Sequence, residues 1–378
     1  MTNFSLERNA LLTKIVKPAY TVILNSSLPF NKYAYLATHN SFAIKGKHSR
    51  IGKPRITVPN QEDTITEQLN NGVRVLMLDT YNFKGDIWLC HSFGGKCHDF
   101  TAYEPAIETL KEVEAFLSAN PSEIITIILE DYVSTRNGLT KVFNASGLMN
   151  YWFPVSDMPR SGQDWPLVET MVSKNHRLIV FTSDKTKQAS EGIAYQWNYM
   201  VENQYGRHGM HSGSCGNRQE SAPLTDKTKS LVLLNHFRSI PVTELACVDN
   251  SADLINMLDT CYSAAGNRWA NFVAVDYYKR SDRGGAFQAV DKLNGKLLCG
   301  SDDVHACAYG QPPPESPPYE DPPPESPPSG EPPPSPEFPP YEEPSPPPEF
   351  PPYDEPPPPE FPPYDEPPPS SPPVIHIP

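Results

Sequence analysis

The sequence predicts one large α/β domain followed by a segment that does not fold with it. Three observations carry this. Apolar, β-branched runs alternate with segments of helical period. The runs are mostly continuous rather than alternating, as in strands covered on both faces of a parallel sheet. Proline is segregated: 34 of the 45 prolines lie in residues 311–378. A proline lacks an N–H and fixes its φ, so that stretch can hold neither a helix nor an interior strand. The fold must therefore lie in the preceding residues, a length that suits α/β barrels of about 250 residues.

The apolar runs are Tyr33–Thr38, Val73–Asp79, Ile124–Glu130, Leu178–Thr182, Leu231–Phe237 and Phe272–Tyr277. Residues 105–118 have helical period, with Ile107, Leu110, Val113, Phe116 and Leu117 on one stripe and Pro105 suited to a first turn. Residues 251–264 and 285–293 repeat the pattern on a shorter scale. A closed barrel and an open doubly wound sheet both fit this alternation. No Gly-x-Gly-x-x-Gly follows the first strand, which speaks against a dinucleotide-binding fold. The expected organisation is an N-terminal segment 1–27, a folded domain 28–310 and an acidic, disordered, proline-rich tail 311–378. Residues 1–27 lack a charged n-region followed by a clean apolar core, so no signal peptide is visible and this end is expected to be incomplete.

Charge divides at the same boundary. The net charge is −14, and the tail holds 14 acidic residues and no Lys or Arg. The rest of the chain is formally neutral, so the acidity belongs to the tail. A nucleic-acid binder would need a basic surface, and that class is excluded. No apolar run approaches the roughly 20 residues that span a bilayer. The tail repeats Glu-Phe-Pro-Pro-Tyr from Glu337, Glu349 and Glu360, a sequence that favours extended polyproline II. It reads either as a solvated spacer or as an adhesive segment contacting an extracellular matrix or cell wall.

Six of the seven cysteines form close sequence pairs, Cys90/Cys97, Cys247/Cys261 and Cys299/Cys307, leaving Cys215 over. No Cys-x-x-Cys or tight Cys/His array is present, so a thiolate metal site is not expected. The three pairs are expected as disulfides. With the Asn-x-Ser sequons at Asn3, Asn25 and Asn144 they point to a secreted or cell-surface protein.

Barrel enzymes place their chemistry at the C-terminal ends of strands. The first strand ends in Thr38-His39-Asn40-Ser41, the second in Asp79, the third in Glu130-Asp131 and the last in Asp276, and His91 follows Ile87-Trp88-Leu89-Cys90. A lone histidine at a strand end is more often a structural hydrogen-bonder, and an acidic residue there often caps a turn. Two imidazoles with carboxylates at one rim suit general acid–base phosphoryl transfer. The oxygens suit a hard divalent cation.

These residues also resemble a known family. Leu36-Ala37-Thr38-His39-Asn40-Ser41-Phe42 is similar to the opening motif of the phospholipase C X domain. Gly72-Val73-Arg74-Val75-Leu76-Met77-Leu78-Asp79 with Cys90-His91-Ser92 resembles its second motif, and Ile127-Ile128-Leu129-Glu130-Asp131 its third. The likeness extends through Asn203-Gln204-Tyr205-Gly206, Ala265-Gly266-Asn267-Arg268-Trp269 and Val275-Asp276-Tyr277-Tyr278-Lys279-Arg280, over residues 28–308. The group it most resembles is the plant phospholipase C-like phosphodiesterases with an X domain.

That resemblance implies a distorted TIM barrel and a phosphoric diester hydrolase acting on a phosphoinositide or other phosphodiester lipid, with peripheral membrane contact. It makes His39 the base and His91 the acid, with Asp276 assigned to orient an imidazole and Lys185 to contact a phosphate. It makes Asn40, Asp79 and Glu130 ligands of a divalent cation, Ca²⁺ by the family pattern. One departure matters: the metal-dependent pattern has Glu-x-Asp where this chain has Met77-Leu78-Asp79, and a thioether cannot replace a carboxylate for calcium. Metal-independent bacterial members carry Arg where this chain has Asp79, so neither pattern is matched in full. The competing expectation is a barrel that binds a phosphorylated headgroup or a matrix without turnover. A glycerophosphodiesterase would need the carboxylate that Met77 replaces.

Overall fold

The computed structural model describes residues 28–92, 95–206, 209–210 and 213–307. The segment 1–27 and the proline-rich tail, on which the spacer and adhesion expectations rest, lie outside the described residues.

Eight parallel strands form one continuous ladder. They are β1 (Tyr35–Thr38), β2 (Val75–Phe83), β5 (Ile125–Tyr132), β6 (Leu178–Thr182), β7 (Ala194–Tyr195), β8 (Met200–Glu202), β9 (Leu231–His236) and β10 (Phe272–Val275). Their order across the sheet is β7-β6-β5-β2-β1-β10-β9-β8. The remaining strands, β3 (Asp86–Cys90) and β4 (Ala102–Pro105), run antiparallel and extend from β2. All six apolar runs are strands, and the stripe over 105–118 is the helix Ala106–Ala119, which buries Leu110, Val113, Phe116 and Leu117.

The sheet curls into a distorted barrel. Phe181 of β6 and Tyr199, just before β8, stand near opposite ends of the ladder, yet their ring centroids are 6.0 Å apart. Only β7 and β8, two and three residues long, are not joined by a ladder among the described residues.

Alternation along each strand explains why the runs are apolar throughout. Leu36, Leu76, Leu78, Ile125, Ile127, Leu129, Val180, Leu234 and Val273 pack outward under the helices. Tyr35, Ala37, Val75, Ile128, Ile179, Phe181, Leu233, Phe272 and Ala274 fill the interior, with Met77 packed against them. Each fully buried large side chain contributes about 1.5–3 kcal/mol, so both faces must stay apolar. The interior columns end in polar residues: Ala37 leads to His39, Met77 to Asp79, Ile128 to Glu130 and Ala274 to Asp276. The period of two thus carries the core directly into the site.

Disulfides join Cys90 to Cys97, Cys299 to Cys307 and Cys215 to Cys261, and Cys247 is free. The expected Cys247–Cys261 bridge is therefore corrected. Cys247 lies on the helix Thr243–Val248 and Cys261 on Leu254–Ala264, with a kink at Ser251 between them. Helical chain rises about 1.5 Å per residue, so nearness in sequence does not bring two cysteines within disulfide reach. Cys261 instead faces the core, where Cys215 packs beside it. Peptide mapping under non-reducing conditions is expected to recover a Cys215–Cys261 cross-linked pair and an alkylatable Cys247; a Cys247–Cys261 peptide would contradict this pairing.

Candidate active site

A cavity of about 160 Å³ opens at the C-terminal ends of the strands. His39, Asn40, Met77, Asp79, His91 and Glu130 all line it, together with Glu202, Tyr205, Arg218, Phe237 and Arg238. The predicted histidines and acidic residues therefore converge, as the strand reading required.

His39 follows β1, and its amide donates to Val275 O at 3.0 Å, which continues the ladder with β10. Its Nδ1 lies 3.0 Å from Asp276 Oδ1. Asn60 Nδ2 donates to the same Asp276 oxygen at 2.9 Å, and Gln61 Nε2 donates to His39 O at 2.9 Å and Val275 O at 3.1 Å. A carboxylate only accepts, so the imidazole places its proton on Nδ1 and turns Nε2 away from Asp276. The ring stacks on Phe237 with centroids 3.6 Å apart, and Phe237 stacks in turn on Tyr205 at 5.2 Å. An aromatic face favours the imidazolium that forms when Nε2 takes a proton.

Asn40 has a left-handed φ of 42°, a conformation asparagine tolerates better than most residues. Assigned in the orientation that gives Asp79 a donor, its Nδ2 donates to Asp79 at 3.0 and 3.3 Å and its Oδ1 lies 3.3 Å from His39 Nε2, where it accepts once Nε2 is protonated. Asp79 and Glu130 are direct partners in the β2–β5 register, which sets two carboxylates side by side. Burial, and then the charge of Glu130, push the Asp79 carboxyl well above its ordinary range, while Arg218 pulls it back.

His91 reaches the cavity from the end of β3. A tight turn at Lys84-Gly85, both with positive φ, folds β3 back on β2. The β3–β4 register shifts at Leu89/Cys90, just before His91, and such bulges re-aim the next side chain. The Cys90–Cys97 bridge closes the following loop, and the His91 amide donates to Thr101 O at 3.1 Å. His91 Nδ1 lies 3.3 Å from Val58 O. Burial and the nearby His39 hold the His91 imidazolium below its ordinary pKa, against the partial offset of Val58 O, Asp276 and Glu130.

The loop around residues 58–61 thus ties both histidines together, through Val58, Asn60 and Gln61. Tyr277, held at a left-handed φ of 46°, fixes this loop by donating its amide to Asn60 O at 2.8 Å and its hydroxyl to Pro59 O. None of these loop residues had a motif to betray it. Lys185 is exposed before the helix Thr186–Glu191 and does not line the cavity. Asp131 is engaged locally, accepting from Thr182 Oγ1 at 2.9 Å and Val133 N at 2.8 Å.

Asn40, Asp79 and Glu130 are hard oxygen donors at one wall and fit a divalent cation in kind. They are few: Met77 lines the same cavity with a thioether, a poor partner for a hard cation, and among the described residues no three His, Cys, Asp or Glu side chains group as a metal site.

A parallel barrel with two histidines and an acidic pair at its mouth defines the phospholipase C-like class of folds. Residues 30–294 match the family described as PI-PLC X 1. An Arabidopsis thaliana PI-PLC X domain-containing protein is 56% identical over 290 residues, covering 77% of this chain and 68% of that protein. The chain belongs to the PI-PLC X domain family. An uncharacterized secreted protein of Arthroderma benhamiae is 24% identical over 288 residues, covering 70% of this chain and 64% of that one. Among solved structures, a point mutant of the phosphatidylinositol-specific phospholipase C from Staphylococcus aureus superposes with a TM-score of 0.47 at 11% identity, over 71% of this chain and 92% of that one.

Proposed function

We propose that this protein is an extracellular phosphoric diester hydrolase that cleaves a phosphoinositide or related phosphodiester lipid by paired-imidazole acid–base catalysis. The observation that carries the reading is His39, oriented by Asp276, facing the same cavity as His91. A substrate hydroxyl adjacent to the phosphodiester attacks phosphorus. His39 Nε2 accepts its proton, and Nδ1–H remains on Asp276. The bond from phosphorus to the glycerol oxygen breaks, and His91 donates a proton to that oxygen. Asn40, Asp79 and Glu130 would hold a divalent cation, which when bound supplies positive charge to the phosphoryl oxygens.

Three disulfides and the secreted relative support an extracellular setting. No helix among the described residues is long and apolar enough to cross a membrane. Peripheral contact with a lipid surface is supported by exposed Ile240, Val242, Leu245 and Val248, in the segment that leaves β9 beside Phe237.

The test is hydrolysis of a phosphodiester panel by the intact protein and by His39→Ala, with and without Ca²⁺. Turnover lost in His39→Ala supports the proposal, and a panel left intact by the native protein rejects it. Met77 favours the second reading, a headgroup-binding barrel without turnover, which predicts binding but no hydrolysis.

With three oxygen donors, cation dependence is expected to saturate only at high concentration. Met77→Glu adds the missing carboxylate and is expected to tighten Ca²⁺ binding about tenfold or more by calorimetry, apart from any change in rate. Unchanged binding in Met77→Glu, or activity indifferent to chelator, would remove the cation from this site.

A further inference from the structure

We propose that Arg218 is the fixed phosphate-binding cation of the cavity. This rests on the reading of the site as one for a phosphodiester. Arg218 lies between β8 and β9, far from any strand-end motif, yet it lines the same cavity as His39, His91, Asp79 and Glu130. Its side chain is only 15% exposed.

A buried framework holds it there. Nη1 is 3.5 Å from Glu202 Oε2, and Nε donates to Glu220 Oε2 at 3.1 Å. Glu202 is fully buried and held by three other donors: Gln196 Nε2 at 3.1 Å and Trp197 Nε1 at 2.6 Å on one oxygen, Asn235 Nδ2 at 2.9 Å on the other. Such a carboxylate is fixed and cannot swing to follow the arginine. The guanidinium also lies 5.5 Å from the Tyr205 ring centroid and 5.7 Å from that of Trp197. The Cys215–Cys261 bridge ties its segment to the helix Leu254–Ala264 three residues earlier. Arginine carries five N–H donors in a planar fork. Nη2 makes no hydrogen bond among the described residues, which leaves donors for a phosphate oxygen.

The charges agree with this assignment. Burial opposes the charged guanidinium, but Glu202, Glu220 and Glu130 outweigh it and keep it protonated. Arg218 also acts on Asp79 across the cavity. A phosphate between Arg218 and the two histidines would meet a cation that needs no reorganisation when charge develops.

The bland alternative is that Arg218 only balances buried Glu202. Removing one member of a buried pair orphans the other, whereas removing both does not. Binding of inorganic phosphate is therefore measured by calorimetry in chelator for the native protein, Arg218→Lys, Arg218→Met and the double variant Glu202→Gln/Arg218→Met. Thermal melts report the fold of each. Phosphate affinity is expected to fall about tenfold or more in Arg218→Met and to stay low in the double variant, while Arg218→Lys, which keeps the charge but loses the planar fork, falls between native and Arg218→Met. Recovery of affinity in the double variant, unchanged affinity in Arg218→Met, or no phosphate binding by the native protein would overturn the proposal. A parallel assay on the phosphodiester panel keeps the two readings apart. Arg218-dependent phosphate binding without native turnover would reject the hydrolase and leave this assignment standing.

Discussion

His39→Ala and His91→Ala are each expected to lower turnover of a phosphodiester about 100-fold or more with the fold retained. General acid–base steps contribute about 10²–10⁴ each. The two residues fail differently. His39 loses the acceptor that Asp276 aims into the cavity, while His91 loses the donor held against Val58 O. The pH dependence separates them further. Burial and the charge of His39 depress the His91 pKa below its ordinary value of about 6.5. As the general acid it must be protonated in the free enzyme, so the depressed His91 pKa makes the competent form scarcer as pH rises. His39→Ala removes one of the depressing charges, so an NMR titration of His91 should move upward in that variant. Full activity in either alanine variant removes that residue from the mechanism; a His91 titration unmoved by His39→Ala refutes the electrostatic coupling.

The residues legible in the sequence share a physical cause. The strands β1, β2, β5, β6, β9 and β10 must be apolar on both faces, so each shows as a continuous run. A polar residue ending such a run, as His39, Asp79, Glu130 and Asp276 do, is conspicuous against it. The short β7 and β8 give no comparable signal, being two and three residues long. Glu202 ends β8 inside the barrel and is missed for that reason. Asn60 meets Asp276 across 216 positions of sequence, and no periodicity encodes such a contact. Cys247 and Cys261 do not pair, because two helices and the kink at Ser251 fill the spacing between them. Arg218 lies in a long loop whose path is set by the Cys215 bridge, and Cys215 was the cysteine left unpaired by spacing.

Asp276 is where geometry adds most to the sequence reading, and its variants are expected to separate charge from orientation. Its Oδ1 accepts from both His39 and Asn60, while its Oδ2 is buried with no hydrogen-bond partner. In Asp276→Asn the amide oxygen must take the Oδ1 position, because an NH₂ there would face the Asn60 Nδ2 donor. The Nδ1–H tautomer of His39 is therefore preserved, and what is lost is the negative charge opposite the imidazolium. Removing one preorganised electrostatic partner costs about 10²–10³ in rate, and a loss near 100-fold is expected. Asp276→Ala removes the acceptor of Nδ1–H and leaves Asn60 Nδ2, 3.3 Å from His39 Nδ1, free to donate there instead, so a loss of about 10³-fold or more is expected. Imidazole ¹⁵N shifts give a readout independent of rate: His39 should remain protonated at Nδ1 in the asparagine variant and become a tautomer mixture in the alanine variant. If both variants lose activity equally while their ¹⁵N spectra match the native protein, Asp276 does not set the tautomer, and the orientation of His39 must come from the Phe237 stack and the backbone hold of Gln61 alone.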